Sequence, residues 1–510
     1  MGRLVVAALV SLWVIPISIV VNAIVPDPYM DEIFHIRQAQ RYCSGDFKTW
    51  DPMITTPPGL YYLSLVLRAS LFPGMCFAKG IQSFPELCST AFLRSTNAVL
   101  AIVCSVLVYD LLISLWPSLS KKMATIYSIV ISLYPLHWFF TFLYYTDVAS
   151  LTAVLAMYLA SLRRHFFVSA MLGAFATVLR QTNVVWVVFV AACGAISFVE
   201  HLCMKDQVNL VEQNQKIEKK NVASEKKEIA VAPTLRKRKI NAPMKSCQFP
   251  NTSAVDGHPV NDSGLINETV DVVFMLWYLK WNVLFTFWPY ALILLAFAAF
   301  VVLNGGIVLG AKEAHLVSPH FAQLMYFGLA AAAALAPAHF TLGQGSTLYQ
   351  SLRRNKISNT VKLLVSLVMG LISVHFFSIV HPYLLADNRH YTFYIWRKVI
   401  QAHWLVKYLL VPVYIYSWLS IISALGRSRR KVWVLLFCLA CAAVLIPAPL
   451  VEFRYYTIPL YLLILNTRIG NMQWMAIGVL YTSVNIITMF IFLFKPFHWD
   501  NELGIQRFIW

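Results

Sequence analysis

The chain opens with an uncharged apolar run from Leu4 to Val25, and similar runs recur as far as residue 494. A run of about 20 apolar residues can cross a bilayer, and in lipid its backbone polar groups must be satisfied within the segment. Each run therefore reads as a helix. Spans fall near residues 4–25, 95–116, 124–142, 147–162, 166–181, 183–199, 280–303, 320–340, 360–380, 403–425, 432–449, 455–466 and 473–494. That makes about 13, and the expected fold class is an all-α polytopic membrane protein. With 59% hydrophobic and 13% charged residues and a mean hydropathy of +0.65, a soluble domain is excluded. The first run is too long and too evenly apolar for a cleaved signal peptide, so it is read as a retained helix. A net charge of +18 does not point to nucleic acid here, because the basic residues fall mostly in short loops between spans.

Those loops decide the sides. If the N-terminus is cytosolic, Lys121/Lys122, Arg163/Arg164, Arg353/Arg354/Lys356 and Arg427/Arg429/Arg430/Lys431 all fall in the cytosol. The long first loop, 26–94, then lies on the opposite side. Within it, residues 57–74 are moderately apolar, carry Arg68 and are flanked by prolines, which predicts a re-entrant or interfacial helix. Residues 200–272 are polar and are expected to form a flexible cytosolic loop between an N-terminal module, 1–199, and a C-terminal one, 273–510. Glycosylation-type triplets at Asn251, Asn261 and Asn267 are expected to carry no glycan on this topology, and TLRKRK in the same loop reads as a solvated basic run. Of nine cysteines, several lie inside spans, among them the C-x-x-C of Cys438 and Cys441. Cys76 and Cys88 share the first loop, where a disulfide between them suits an oxidising compartment.

No glycine-rich phosphate loop and no His/Cys cluster of zinc spacing occurs, so the expected chemistry falls to polar residues at the non-cytosolic span ends, with no metal or cofactor required. Asp31 and Glu32 follow the first span. Pro26 and Pro28 stop that helix and place the acids in the first turn of a short amphipathic one. Asp31 can serve as its cap. It also fits a general base beside a lipid-borne substrate, with Glu32 as its substitute. A second cluster offers His381, Asp387, Arg389, His390 and Tyr391. Fixed charge combined with directional donors suits an oxygen-rich anion such as a phosphodiester. Nearby Tyr394, Trp396, Arg397 and Lys398 read as interfacial anchors. Glu452 and Arg454 mark another span end on this side, either as an internal ion pair or, for Arg454, as a further phosphate ligand. Asp147, Arg180 and Gln181 stand where they can meet sugar hydroxyls, and Trp50, Tyr61, Tyr62 and Tyr145 offer stacking faces. Asp110, near a cytosolic span end, reads as internally paired. Polar clusters confined to one side, without internal repeats, favour an enzyme over a transporter.

Two of these blocks carry a resemblance. MDEIFHIRQAQRYCSGDFKTWDPMITTPPGLY (30–61) resembles the first luminal loop of the dolichyl-phosphate-glucose-dependent α-1,2-glucosyltransferases, and HPYLLADNRHYTFYIWRK (381–398) resembles that family's second signature. Such enzymes add the third, terminal glucose to dolichol-linked oligosaccharide in the endoplasmic reticulum. The resemblance implies a GT-C type membrane glycosyltransferase fold with its active site facing the lumen. It implies dolichyl phosphate glucose as donor, a dolichol-linked oligosaccharide as acceptor, and inversion of the β-linked glucose to an α linkage. It further implies Asp31 as base, with Arg389, His390, His381 and Arg454 around the departing phosphate. A related dolichyl-phosphate-mannose-dependent mannosyltransferase is the alternative, since a few hydroxyl contacts set sugar identity. Nothing in the sequence names a protein partner.

Overall fold

A computed structural model describes residues 2–79, 84–225, 264–315, 317–354, 356–500 and 502–510. The chain runs α1 (Gly2–Ile24), α2 (Glu32–Cys43), α3 (Gly59–Lys79), α4 (Thr90–Leu115), α5 (Lys121–Ser132), α6 (Pro135–Phe140), α7 (Thr146–Leu162), α8 (Phe166–Leu179) and α9 (Asn183–Glu225). It continues through α10 (Leu265–Tyr278), α11 (Lys280–Asn304), α12 (Ala322–Ala334), α13 (Ala336–His339), α14 (Leu342–Arg354) and α15 (Lys356–Phe376). Short helices α16 (Pro382–Ala386), α17 (Tyr391–Ile395) and α18 (Val406–Leu409) lead to α19 (Val411–Gly426), α20 (Lys431–Leu445), α21 (Thr457–Asn466) and α22 (Asn471–Phe494). A hairpin of β1 (Phe497–Trp499) and β2 (Glu502–Gln506) follows, antiparallel with Phe497 opposite Gln506 and Trp499 opposite Glu502. Residues up to 190 and those from 289 onward form one compact unit, and residues 191–288 form a second. Most of the two expected modules therefore share one unit.

Among the described residues, seven helices are long and apolar enough to cross a membrane: Gly2–Ile24, Thr90–Leu115, Asn183–Lys205, Lys280–Asn304, Lys356–Phe376, Val406–Gly426 and Asn471–Phe494. Four shorter apolar helices, α7, α8, α12 and α20, accompany them. Large apolar side chains point outward along the long helices, for example Leu12 and Ile19 on α1, Phe285 and Leu295 on α11, and Met475 and Val479 on α22. An exposed apolar surface on this scale is stable only against lipid. The fold is helical and membrane-embedded.

The apolar runs are thus helices, with breaks where backbone chemistry demands them. The run expected as a span at 124–142 divides into α5 and α6, because Pro135 at the start of α6 lacks an N–H and Tyr134 turns to φ −51°, ψ 124°. At its far end α9 continues to Glu225, into the loop expected to be flexible, since VEQNQKIEKK is rich in helix-favouring Glu, Gln and Lys. α10 likewise begins at Leu265, inside that loop, and carries Asn267 exposed. Asn251, Asn261 and TLRKRK lie outside the described residues. All of segment 57–74 after Pro58 lies within α3, whose Arg68 is 3% exposed and donates to the Phe92 carbonyl, to Ser95 Oγ (3.1 Å) and to Thr96 Oγ1 (2.7 Å). That arginine, which argued against a span, ties α3 to α4. α3 also meets α8 closely at Gly59, where an added Cβ would lie 2.6 Å from the Val178 carbonyl oxygen.

α4 packs against α1, α5 and α7, and all ten residues of α21 are buried, with α4 and α7 against it. The turn Phe453–Tyr456 feeds α21 and carries Arg454 to the end of the bundle where α2 begins. At the opposite end Asp110 accepts from Arg3 Nε (2.7 Å) and Arg163 Nη2 (2.9 Å), so it is paired internally. The first loop is closed by a disulfide between Cys43 and Cys88, not by the expected Cys76–Cys88 bridge. The amphipathic α2 brings Cys43, at its last turn, beside the Phe84–Cys88 turn, a pairing that sequence spacing alone does not reveal.

Candidate active site

The turn that ends α1 builds the site. Val25 and Asp27 offer carbonyl oxygens that no helix uses, and Arg94, in the first turn of α4, donates to both (2.6 and 3.1 Å). The same guanidinium grips Glu32 with a two-point fork, Nε to Oε1 at 2.9 Å and Nη2 to Oε2 at 2.7 Å. Glu32 also accepts from the backbone N–H groups of Tyr144 (2.5 Å) and Tyr29 (3.1 Å) and is 0% exposed. Both of its oxygens are therefore spent on protein donors.

Asp31 faces the other way. It stands at the N-cap of α2, yet its side chain makes no capping hydrogen bond and remains 47% exposed. One carboxylate oxygen accepts from Arg454 Nη1 at 3.2 Å, and the Asp31 backbone N–H donates to Tyr145 Oη at 3.2 Å. Burial alone would raise the carboxyl pKa, but Arg454, with lesser contributions from His35 and His390, outweighs it and holds Asp31 below its ordinary value. Asp31 is thus an ionised acid with free lone pairs.

Arg454 is the hub. Its Nε and Nη2 donate to Glu452 Oε2 (3.1 and 2.9 Å), and Nη1 lies 3.9 Å from Asp147 Oδ2. The guanidinium stacks over Tyr145 and Phe140, 5.3 and 5.5 Å from their centroids. Burial opposes its charge, and Glu452, Asp31 and Asp147 more than offset that. Asp147, in the first turn of α7, accepts from Arg180 Nη1 at 2.7 Å, while its buried Oδ2 has no hydrogen bond. Arg180 in turn faces the Tyr455 ring at 6.0 Å. Asp31, Asp147, Glu452, Arg180 and Arg454 thereby form one charged cluster assembled from four parts of the chain.

Of the four expected aromatic platforms, Tyr62 is 46% exposed and Trp50 half-buried, while the other two lie deeper. Tyr61 and Tyr145 are 1% and 2% exposed. Tyr61 Oη meets His35 Nδ1 at 2.7 Å and its ring lies 6.1 Å from half-buried Trp50. Gln181 donates to the Thr55 carbonyl at 2.6 Å, tying the first loop to the end of α8.

The second cluster is organised around Asp387. Arg389 clasps it with Nε and Nη2 (2.9 and 2.8 Å), donates Nη1 to Gln506 Oε1 (2.9 Å) and lies over Trp499 at 4.6 Å. That arginine and His390 hold Asp387 below its ordinary pKa despite burial, which acts to raise it. His390 Nδ1 donates to the Trp510 carbonyl (3.1 Å), Ile509 N–H to Arg389 O (2.9 Å), and Tyr391 N–H to Ile509 O (3.1 Å). The rings of Tyr391 and Phe453 flank Trp510 at 5.0 and 6.2 Å. Residues 506–510 thus lie against the Asp387–Tyr391 segment and reach the turn that carries Arg454. His381 caps α16, its Nδ1 accepting from the Tyr383 N–H at 3.2 Å. Among the described residues no group of three or more His, Cys, Asp and Glu side chains is placed to hold a metal ion.

Of the residues singled out from sequence, Asp31, Asp147, Arg180, Tyr145 and Arg454 come together. Glu32, Gln181 and Arg389 are engaged in holding the architecture. Three contributors were missed: Arg94, His35 and the segment 506–510. A lone arginine at the mouth of an apolar helix is the signal by which Arg94 could have been found, and one-turn spacing from Asp31 is the signal for His35.

Over its whole length the chain is 54% identical to an Arabidopsis thaliana relative, also matched over its whole length, named Dol-P-Glc:Glc(2)Man(9)GlcNAc(2)-PP-Dol alpha-1,2-glucosyltransferase. Relatives of the same name from Mus musculus and Homo sapiens are 36% and 34% identical, each alignment covering 95% of this chain and 93% of the relative. No solved structure matches the chain. The sequence model of the DIE2/ALG10 family matches residues 25–465, and the chain belongs to that family.

Proposed function

We propose that this protein transfers glucose from dolichyl phosphate glucose to the terminal glucose of a diglucosylated dolichol-linked oligosaccharide, forming the α-1,2 linkage that completes the glycan for protein N-glycosylation. The full-length similarity to glucosyltransferases of that specificity carries the assignment. The open, ionised Asp31 beside Arg454 supports the chemistry.

In this reading Asp31 removes the proton from the acceptor's 2-hydroxyl as that oxygen attacks the anomeric carbon. The bond from that carbon to the phosphate oxygen breaks on the opposite face, inverting the β-glucoside, and dolichyl phosphate leaves with the electron pair. Arg454 links the two events. As Asp31 becomes neutral its hold on the guanidinium weakens, and the charge is released toward the departing phosphate when negative charge accumulates there. His390, close enough to influence Asp31 electrostatically, stands as a second phosphate ligand. Asp147 and Arg180 line the sugar, with Trp50 beside them. Glu32 and Arg389 act as positioning residues, the first fixing the start of α2 and the second fixing the 387–391 segment.

The protein sits in the endoplasmic reticulum membrane in this reading, with the Asp31 end luminal and the N-terminus cytosolic. The Cys43–Cys88 disulfide at the Asp31 end supports an oxidising side, and the four basic clusters support a cytosolic face elsewhere.

The test is transfer by the purified protein from dolichyl phosphate glucose to a diglucosylated lipid-linked acceptor, with Asp31→Asn alongside. The expected result is transfer by the wild type, none from dolichyl phosphate mannose, and a loss of about 10²–10⁴-fold in a folded Asp31→Asn variant. Transfer only from the mannosyl donor, or full activity without Asp31, refutes the assignment of donor or of base respectively.

A further inference from the structure

We propose that His35 is a substrate-binding residue that holds the 3-hydroxyl of the acceptor's terminal glucose, next to the hydroxyl that Asp31 deprotonates. The inference rests on the glucosyl-transfer reading above and adds a ligand to it. Asp31 and His35 stand one turn apart, the His35 N–H donating to the Asp31 carbonyl at 3.2 Å, so their side chains share one face of the α2 start. The imidazole lies between two buried tyrosines, 6.0 Å from the Tyr61 ring and 6.3 Å from that of Tyr145. Among the described residues, His35 Nδ1 is the hydrogen-bond partner of Tyr61 Oη, at 2.7 Å, and Nε2 has none.

Proton placement follows from that pair. A buried phenol needs an acceptor for its hydrogen, and an imidazole nitrogen is a better one than a phenolic oxygen. Tyr61 therefore donates to Nδ1, which puts the ring hydrogen on Nε2. Burial pushes the His35 pKa down to about 4, against the pull of Asp31, so the ring is neutral at physiological pH and Nε2–H is a single fixed donor. It stands in the field of Asp31, Asp147, Arg454 and Arg180, where a neutral donor has no ionic role to fill. A pyranose supplies what is missing. One hydroxyl gives its proton to Asp31, and its neighbour accepts from His35, fixing which lone pair of the nucleophile points at the donor. Filling space alone would not call for a ring nitrogen locked into one tautomer by a buried tyrosine.

The experiment measures initial rates for wild type, His35→Leu, His35→Gln and Tyr61→Phe against donor and acceptor separately. A second acceptor lacks the 3-hydroxyl of its terminal glucose. His35→Leu is expected to raise the acceptor KM about tenfold, the scale of one hydrogen bond, and to leave the donor KM unchanged. His35→Gln, which keeps an N–H donor, recovers part of that loss. With the 3-deoxy acceptor the wild type falls to the level of His35→Leu, and the two losses do not add. An unchanged acceptor KM in His35→Leu, or losses that multiply, overturns the proposal while leaving the transferase assignment standing. Absence of glucose transfer by the wild type removes both. Should His35→Leu fail to fold, the 3-deoxy comparison between wild type and His35→Gln decides.

Discussion

Removing either partner of the Glu32–Arg94 pair leaves a buried charge with nothing to balance it, a loss worth about 3–5 kcal/mol in comparable cases. Glu32→Gln is therefore expected to lower the unfolding midpoint of detergent-solubilised protein sharply, whereas Asp31→Asn leaves that midpoint in place and lowers turnover by about 10²–10⁴-fold. Arg454 makes a second, kinetic prediction. It is the main influence depressing the Asp31 pKa, and without it burial dominates and the pKa rises. A general base works only when deprotonated, so activity is lost as pH falls through that pKa. Arg454→Gln should thus move the acid limb of kcat/KM to higher pH, beyond its effect on rate. The two adjacent acids stand out from sequence alone. Their division of labour does not, because the residue that occupies Glu32 lies 62 positions away on another helix.

At the scale of elements, α2 is the part that matters most and is held at both ends, by Glu32 at the first turn and by Cys43 at the last. Cys43→Ser is expected to cost about 2–4 kcal/mol of stability, measurable as greater heat sensitivity. The same drop should appear when the wild type is treated with a reductant able to reach the bond. Membrane helices were legible because lipid enforces a single backbone solution, and the apolar runs recur as helices within two residues at each end of α1 and α22. Interruptions were harder to read. Pro135 sits in a run apolar enough to span, and only the geometry at Tyr134 turns it into a break. The polar stretch after Val199 lacks an apolar stripe, so its helical continuation rests on propensity, a weaker signal than periodicity.

The molecule as a whole assembles its charged cluster from distant parts of the chain. Asp31 and Arg454 are separated by 423 positions, and Tyr29 and Arg507 by 478. Such pairings explain why the sequence blocks at 30–61 and 381–398 were recognisable while the tail was not: residues 507–510 carry no motif and act through contact. Arg507 donates to the Phe492 and Leu493 carbonyls (2.8 and 2.9 Å), and its backbone N–H reaches Tyr29 Oη at 2.7 Å. Trp510→Ala, which empties the space between Tyr391 and Phe453, is expected to lower kcat several-fold with little change in unfolding temperature. A parallel fall in both would instead mark the tail as simple packing.

The position of that tail also sets a timetable. Residues 506–510 follow α22 in the chain, so during synthesis they leave the ribosome after it. Until they pack onto Asp387–Tyr391, a nascent chain lacks the wall they form beside the turn that carries Arg454. A chain halted just after α22 is therefore expected to insert into the membrane and to show no glucose transfer.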